Sequence, residues 1–150
     1  MSGPSGDPDV ARAWAAAGEL RVLLGRFRRR LRAEGTVGSF SASQREVLSR
    51  LDREGPATVT ALARGEGMRP QSMGAIVAAL EAAGLVSGAP DPNDGRQTIL
   101  TLTPACRQLI RSSRAAREDW LFRAIRSELS AKEQKELATG VALLKRLVDA

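Results

Sequence analysis

The run Arg69-Pro70-Gln71-Ser72 sets a guanidinium, an amide and a hydroxyl beside one another at the start of an apolar-periodic stretch. Side chains of these types hydrogen-bond phosphate oxygens and base edges. A helix beginning there adds free backbone N–H groups and the positive end of its dipole, which suits an anionic partner. Asp94-Gly95-Arg96 is a second such place, a tight turn holding one cation beside one acid. Other chemistry finds little support. The chain has no histidine and no tyrosine, so the usual general base, the commonest zinc ligand and the phenolic acid are missing. No pair of carboxylates or lysines stands in a catalytic setting. An enzyme is not expected, and neither is a metal or other cofactor.

The 150 residues, 43% hydrophobic and 27% charged, fit one compact domain or a small module with extra helices. No apolar run approaches the roughly 20 residues that cross a bilayer, so no membrane partner is expected. The opening MSGPSGDPD lacks the basic and apolar regions of a secretory signal and reads as a flexible tail over residues 1–9. One cysteine, Cys106, cannot form an internal disulfide and reads as a small buried hydrophobe. These features point to a cytoplasmic protein. The net charge of +6 favours a polyanionic partner. That charge is uneven. Residues 41–104 hold six arginines against seven acids, whereas residues 1–40 carry net +3 and residues 105–150 net +4. A few placed groups, not bulk charge, must do any binding in the middle of the chain.

The elements follow from period and punctuation. Val10 to about Arg32 spaces Val10, Trp14, Ala17, Leu20, Leu24, Phe27 and Leu31 for one long amphipathic helix, and its Arg26–Arg32 cluster suits a helix C-terminus. Glu34–Phe40 reads as a loop. Ser41 or Ser43 can cap the next helix, with Glu46 three residues after Ser43 in a capping-box arrangement. That helix buries Val47, Leu48 and Leu51 and stops at Gly55-Pro56. Thr58 caps a short helix carrying Val59, Leu62 and Ala63, Gly67 marks a turn, and Pro70 opens a fourth helix with Met73, Ile76, Val77 and Leu80 inward. Gly84 closes it. Leu85-Val86 and Ile99–Leu102 read as strands around the turn-rich Ala89–Arg96. Thr103-Pro104 begins a helix reaching about Glu128. After a capping box at Ser130 and Glu133, a last helix carries Leu137, Val141, Leu144 and Val148 on one stripe, widened by Leu143 and Leu147.

Thr58–Leu85 therefore reads as a helix-turn-helix followed by a wing. Such a unit needs a small residue where its helices touch, a turn-former between them and a polar outer face on the second. Ala63, Gly67 and the Arg69, Gln71 and Ser72 side chains meet those needs.

The collinear series Ser43-Gln44, Val47-Leu48, Thr58-Val59, Leu62-Ala63, Arg69–Ser72, Leu80-Glu81, Gly84–Val86, Asp91-Pro92 with Asp94 and Arg96, and Leu102-Thr103 resembles the MarR family of transcriptional regulators. The resemblance spans nearly the whole chain. It implies a mainly α fold with a small two- to three-stranded β wing, a winged helix-turn-helix between long dimerisation helices. Residues 10–40 would be the N-terminal dimerisation helix and loop, 41–104 the DNA-binding lobe, and 105–150 the C-terminal dimerisation helices.

It further implies a homodimer on double-stranded DNA, a pseudo-palindromic operator with half-sites about one helical turn apart. Gln71 and Ser72 would contact base edges, and Arg69 a phosphate or guanine. Arg96 would enter the minor groove from a wing tip held by Asp94. Ser43, Thr58, Pro70 and Gly74 complete the expected DNA-contact set. Val10, Trp14, Leu137, Val141, Leu144, Leu147 and Val148 would form the dimer interface. Family members are often repressors released by small aromatic ligands, here expected against Leu20, Leu24, Phe27, Phe40, Leu48 and Trp120.

Four residues depart from the family pattern. Gly74 and Ala75 stand where a polar residue and an arginine are common, Gly88 replaces a frequent strand arginine, and Cys106 replaces a glycine frequent just after the Leu-Thr pair. Gly74 would serve either close helix packing or close approach to DNA, and Gly88 would loosen the wing or remove a phosphate contact. The net −1 of the central lobe leaves an alternative, a winged-helix adaptor that contacts protein instead of DNA.

Overall fold

A computed structural model describes residues 6–35 and 40–150. The expected tail falls partly outside them, at 1–5, and so does most of the expected Glu34–Phe40 loop, at 36–39. Among the described residues there are six helices: α1 Pro8–Glu34, α2 Ala42–Glu54, α3 Val59–Gly65, α4 Pro70–Ala82, α5 Pro104–Glu128 and α6 Ala131–Val148. Three strands, β1 Ala57–Thr58, β2 Val86–Pro90 and β3 Thr98–Leu102, form an antiparallel sheet in the order β1-β3-β2. The expected fold class, mainly α with a small wing, is the one observed.

The chain forms two compact units, one from Phe40 to Arg114 and the other from the segment ending at Gly35 together with Ala115–Ala150. The first is a winged lobe. Its core brings Val47, Leu48 and Leu51 of α2 against Leu62 and Ala63 of α3, Met73, Val77 and Leu80 of α4, Leu85, the sheet residues Val86, Leu100 and Leu102, and Cys106. The i, i+3, i+4 spacing in α2 and α4 gives each helix one apolar face, while alternate β3 residues Leu100 and Leu102 point to the same side. Ile76, expected inward, is half-buried at the edge of this core.

Glycine ends both helices of the central pair. At Gly67 (φ +62°) and Gly84 (φ +74°) the chain turns left-handed, where a Cβ would be strained. Gly67 N donates to Arg64 O and Met68 N to Ala63 O; Gly84 N donates to Glu81 O and Leu85 N to Leu80 O. Each pair is a Schellman closure that occupies the last free carbonyls. Thr103 ties the second closure to α5. Its Oγ1 donates to Gly84 O at 2.7 Å and accepts from Cys106 N at 3.1 Å, while its own N–H donates to Leu85 O.

One open choice is resolved, and two expectations need correction. The α2 cap is Ser41, whose Oγ accepts from Gln44 N while Gln44 Oε1 accepts from Ser41 N. Ser43 and Glu46 therefore lie inside the helix. α1 begins at Pro8, capped by Asp7, so the tail ends earlier than residue 9. β2 continues through Ala89 and Pro90, pairing Pro90 with Thr98, where turn composition alone suggested the loop had begun.

In the second unit, α1 and α6 bury none of their residues. α6 opens with the expected capping box, Ser130 Oγ accepting from Glu133 N and Glu133 Oε1 from Ser130 N. The Ser130 N–H, with a smaller contribution from the Ser130 hydroxyl, holds the Glu133 carboxyl below the usual glutamate range. Arg30 pairs with Glu34 at 2.8 Å and lies 4.9 Å over the Trp120 ring, and Arg117 Nε donates to Leu31 O. Part of the arginine cluster on α1 is thus engaged locally.

Candidate nucleic-acid interface

α3 starts at Thr58, whose Oγ1 accepts from Ala61 N at 3.1 Å, and ends in the Gly67 turn. After three further residues α4 begins. Its first position is Pro70, which has no N–H to leave unpaired, and no side chain caps it. The N–H groups of its first turn therefore stay open to a ligand, with Arg69, Gln71 and Ser72 exposed around them. The first three expected contact residues are brought together at one helix end. Beyond them the exposed residues of α4 are Ala75, Ala78, Ala79, Glu81 and Ala82, with Gly74 half-buried, so Glu81 is the one polar side chain among them. A Cβ at Gly74 would meet no atom within 4 Å. Packing inside the lobe does not require this glycine.

The turn before α4 is held from α2 by a residue that sequence reasoning missed. Arg50 Nε donates to Glu66 Oε1 at 2.7 Å, Nη1 to both Glu54 carboxylate oxygens at 3.1 and 3.2 Å, and Nη2 to Gly65 O at 3.0 Å. The Glu66 hydrogen bond is the main cause of a raised Arg50 pKa, with burial opposing it. A Cβ at Gly65 would lie 2.7 Å from the guanidinium carbon, so the flexible Arg50 side chain would have to shift to admit one. The only local sequence signal was the Arg50–Glu54 spacing of four.

The wing tip is organised by two aspartates. Asp91 Oδ1 accepts from Asn93 N at 2.9 Å and Asp94 Oδ1 from Arg96 N at 3.1 Å, two Asx turns in succession. Asp91 N to Gln97 O and Gln97 N to Asp94 O close the loop. Asp94 Oδ1 also lies 3.8 Å from Arg96 Nε. The Arg96 side chain is 96% exposed, so this acid lies beside the guanidinium without covering it. Gly88 lies within the paired part of the wing. It keeps its register with Leu100, and the Thr98 methyl fills the place of its missing Cβ, which would come within 2.6 Å.

Ser43 is exposed in the first turn of α2. Of the residues expected around an effector, Leu48 is buried in the lobe core and Phe40 packs on it. Leu20 and Trp120 are half-buried in the other unit, where Leu24 and Phe27 are exposed. Of those expected at a dimer interface, Trp14 is 62% and Val148 84% exposed, and Leu137, Val141, Leu144 and Leu147 are exposed with them. Val10 and Trp14 line a shallow apolar groove with Ala13 and Ala17. Cys106 is fully buried, and burial raises its thiol pKa.

The MarR family profile matches residues 40–98, from Phe40 to the first residue of β3. An HTH-type transcriptional regulator of Mycobacterium bovis is 35% identical over 133 residues, 89% of this chain and 92% of that protein. The chain belongs to the MarR family. A transcriptional regulator structure from Pseudomonas aeruginosa matches with a TM-score of 0.78 at 33% identity, covering 93% of this chain and 98% of that one. The fold is shared, at 16% identity and a TM-score of 0.68, by a MepR variant of S. aureus bound to an oligodeoxyribonucleotide, covering 88% and 96%. As a MarR-family protein this chain is a DNA-binding winged helix-turn-helix transcriptional regulator, which is a non-enzymatic class. No described helix is long and apolar enough to cross a membrane.

Proposed function

We propose that this MarR-family regulator works in the cytoplasm as a homodimer that represses transcription from a pseudo-palindromic operator. One observation carries the dimer. The apolar stripe Leu137, Val141, Leu144 and Val148 runs the length of α6, and none of it is buried by the chain itself. Exposed apolar surface of that extent calls for a partner surface, and two copies of one stripe satisfy it by symmetry. Residues 10–40 and 105–150 are then the dimerisation segments around the DNA-binding lobe 41–104.

In each copy the open first turn of α4 meets the major groove. Arg69 takes a phosphate or guanine, and Gln71 and Ser72 take base edges. Gly74 allows the helix to sit close, while Ser43, Thr58 and the start of α4 at Pro70 place backbone N–H groups near phosphate. Arg96, with Asp94 beside it, enters the minor groove and senses its width. A MepR variant of the same fold, bound to an oligodeoxyribonucleotide, supports DNA as the partner. Release by a small aromatic ligand held near Leu20, Leu24, Phe27, Phe40, Leu48 and Trp120 follows from the family resemblance.

Fluorescence anisotropy on the DNA flanking its own gene, at two salt concentrations and with and without aromatic acids, tests the reading. Binding should weaken with salt, and Arg96→Ala should cost roughly tenfold, about 1.4 kcal/mol. An intact dimer with no DNA affinity at low salt would overturn it in favour of a protein-binding adaptor. Affinity unchanged by every aromatic acid would remove the effector.

A further inference from the structure

Among the arginines of the winged lobe, Arg50 stands apart in its surroundings. Its side chain is 22% exposed, against 96% for Arg96, and it faces two carboxylates and a carbonyl at once. Four hydrogen bonds to Glu66, Glu54 and Gly65 use most of the five N–H donors of the guanidinium. Its charge is matched by Glu54 and Glu66 together, so it offers little attraction to a phosphate. Its partners are informative in another way. Gly65 is the last residue of α3 and Glu66 caps that helix, immediately before the left-handed Gly67 that turns the chain into α4. Arg50 itself belongs to α2, outside the helix-turn-helix.

We infer that Arg50 is a positioning residue for DNA recognition, clamping the α3 end through Gly65 and Glu66 so that α4 leaves the turn at a fixed angle. This rests on the reading that α4 enters the major groove. The absent Gly65 Cβ is part of the device, because the guanidinium carbon stands 2.7 Å from where that atom would be. Charge-assisted hydrogen bonds hold geometry more firmly than neutral ones. Small errors in the placement of contacting groups are costly when several must engage together.

Four variants of the full chain test this, each measured by anisotropy against the DNA flanking its own gene over a salt series. Arg50→Met should weaken binding roughly tenfold, about 1.4 kcal/mol, with the dependence of log affinity on log salt unchanged. Arg69→Ala is the contrast, and should lower both affinity and that slope, the latter by about one. Glu66→Ala separates positioning from simple electrostatics. It removes a negative charge from the lobe, so charge alone predicts tighter binding, whereas loss of the clamp predicts weaker binding. Gly65→Ala changes no charge and should weaken binding in the same way, by displacing the guanidinium.

Circular dichroism and sedimentation establish that each variant is folded and assembled as the parent is. Should Arg50→Met fail to fold, Glu66→Ala and Gly65→Ala still decide the matter. Tighter binding by Glu66→Ala, a salt slope reduced in Arg50→Met, or affinity unchanged by Gly65→Ala would each overturn the inference. If the parent protein and Arg69→Ala bind DNA equally, or neither binds, the placement of α4 fails first.

Discussion

The winged lobe and the helices α1 and α6 draw on the same aliphatic residues and dispose of them differently. Val47, Leu62, Leu80 and Leu100 close on one another within a single chain and leave almost no surface. Leu137, Val141 and Leu144 repeat at equally regular spacing and remain open. Amphipathic period is thus common to both regions, and only the number of elements converging on the apolar face separates them. In the lobe, helices and a sheet meet from several directions. A single stripe on one helix has no such surroundings, and its completion must come from another surface.

The contrast breaks most visibly in the lobe core. Leu80→Ala should destabilise the protein by about 2–5 kcal/mol, the range for emptying a close-packed aliphatic site, read as a lower urea midpoint. A loss well under that range would mean the lobe does not stand on its own core. Leu144→Glu should do the reverse, lowering the sedimenting mass towards that of one chain while the helical content of the lobe persists. An unchanged mass would show that α6 is not where copies meet. A smaller effect is expected at Gly74. Replacing a mid-helix glycine by alanine should stabilise α4 by about 0.5–1 kcal/mol, since open space surrounds the position. The same Gly74→Ala change should weaken DNA binding, and a variant both more stable and equally tight would remove close approach as the reason for the glycine.

The smallest effect concerns pH. Hydrogen bonds from Ser130 lower the Glu133 pKa. A carboxylate with a depressed folded pKa contributes its stability above the unfolded value and loses it as pH falls through the folded one. The α6 capping box should therefore survive through the ordinary glutamate range and open only below it. In a carboxyl NMR titration, Ser130→Ala should move the Glu133 midpoint upward, and an unmoved midpoint would sever that link.

What could be read from sequence was local. Gly67, Pro70, Gly84 and Asp94-Gly95 each impose a backbone conformation by themselves, so the helix-turn-helix and the wing were legible. The α2 start was ambiguous because Ser41–Gln44 and Ser43–Glu46 both satisfy a capping-box spacing. The earlier box also lets Arg45 Nη1 reach the Phe40 carbonyl. β1 is only two residues long, too short for any alternation to register. The Arg50 clamp joins residues 15 and 16 positions apart, and nothing in either segment alone announces it. Gly88 departs from the family pattern for a reason equally remote in sequence, the methyl of Thr98 across the ladder.

The order β1-β3-β2 leaves two strands with an unpaired flank, and an unpaired strand flank is a template on which other chains can add. Both flanks here are poor templates. β1 offers only two residues, while β2 carries Gly88 and ends on Pro90, which has no N–H to give. The wing hairpin can thus be displayed without inviting sheet growth between molecules. Such a sheet resists the runaway, cross-β form of association.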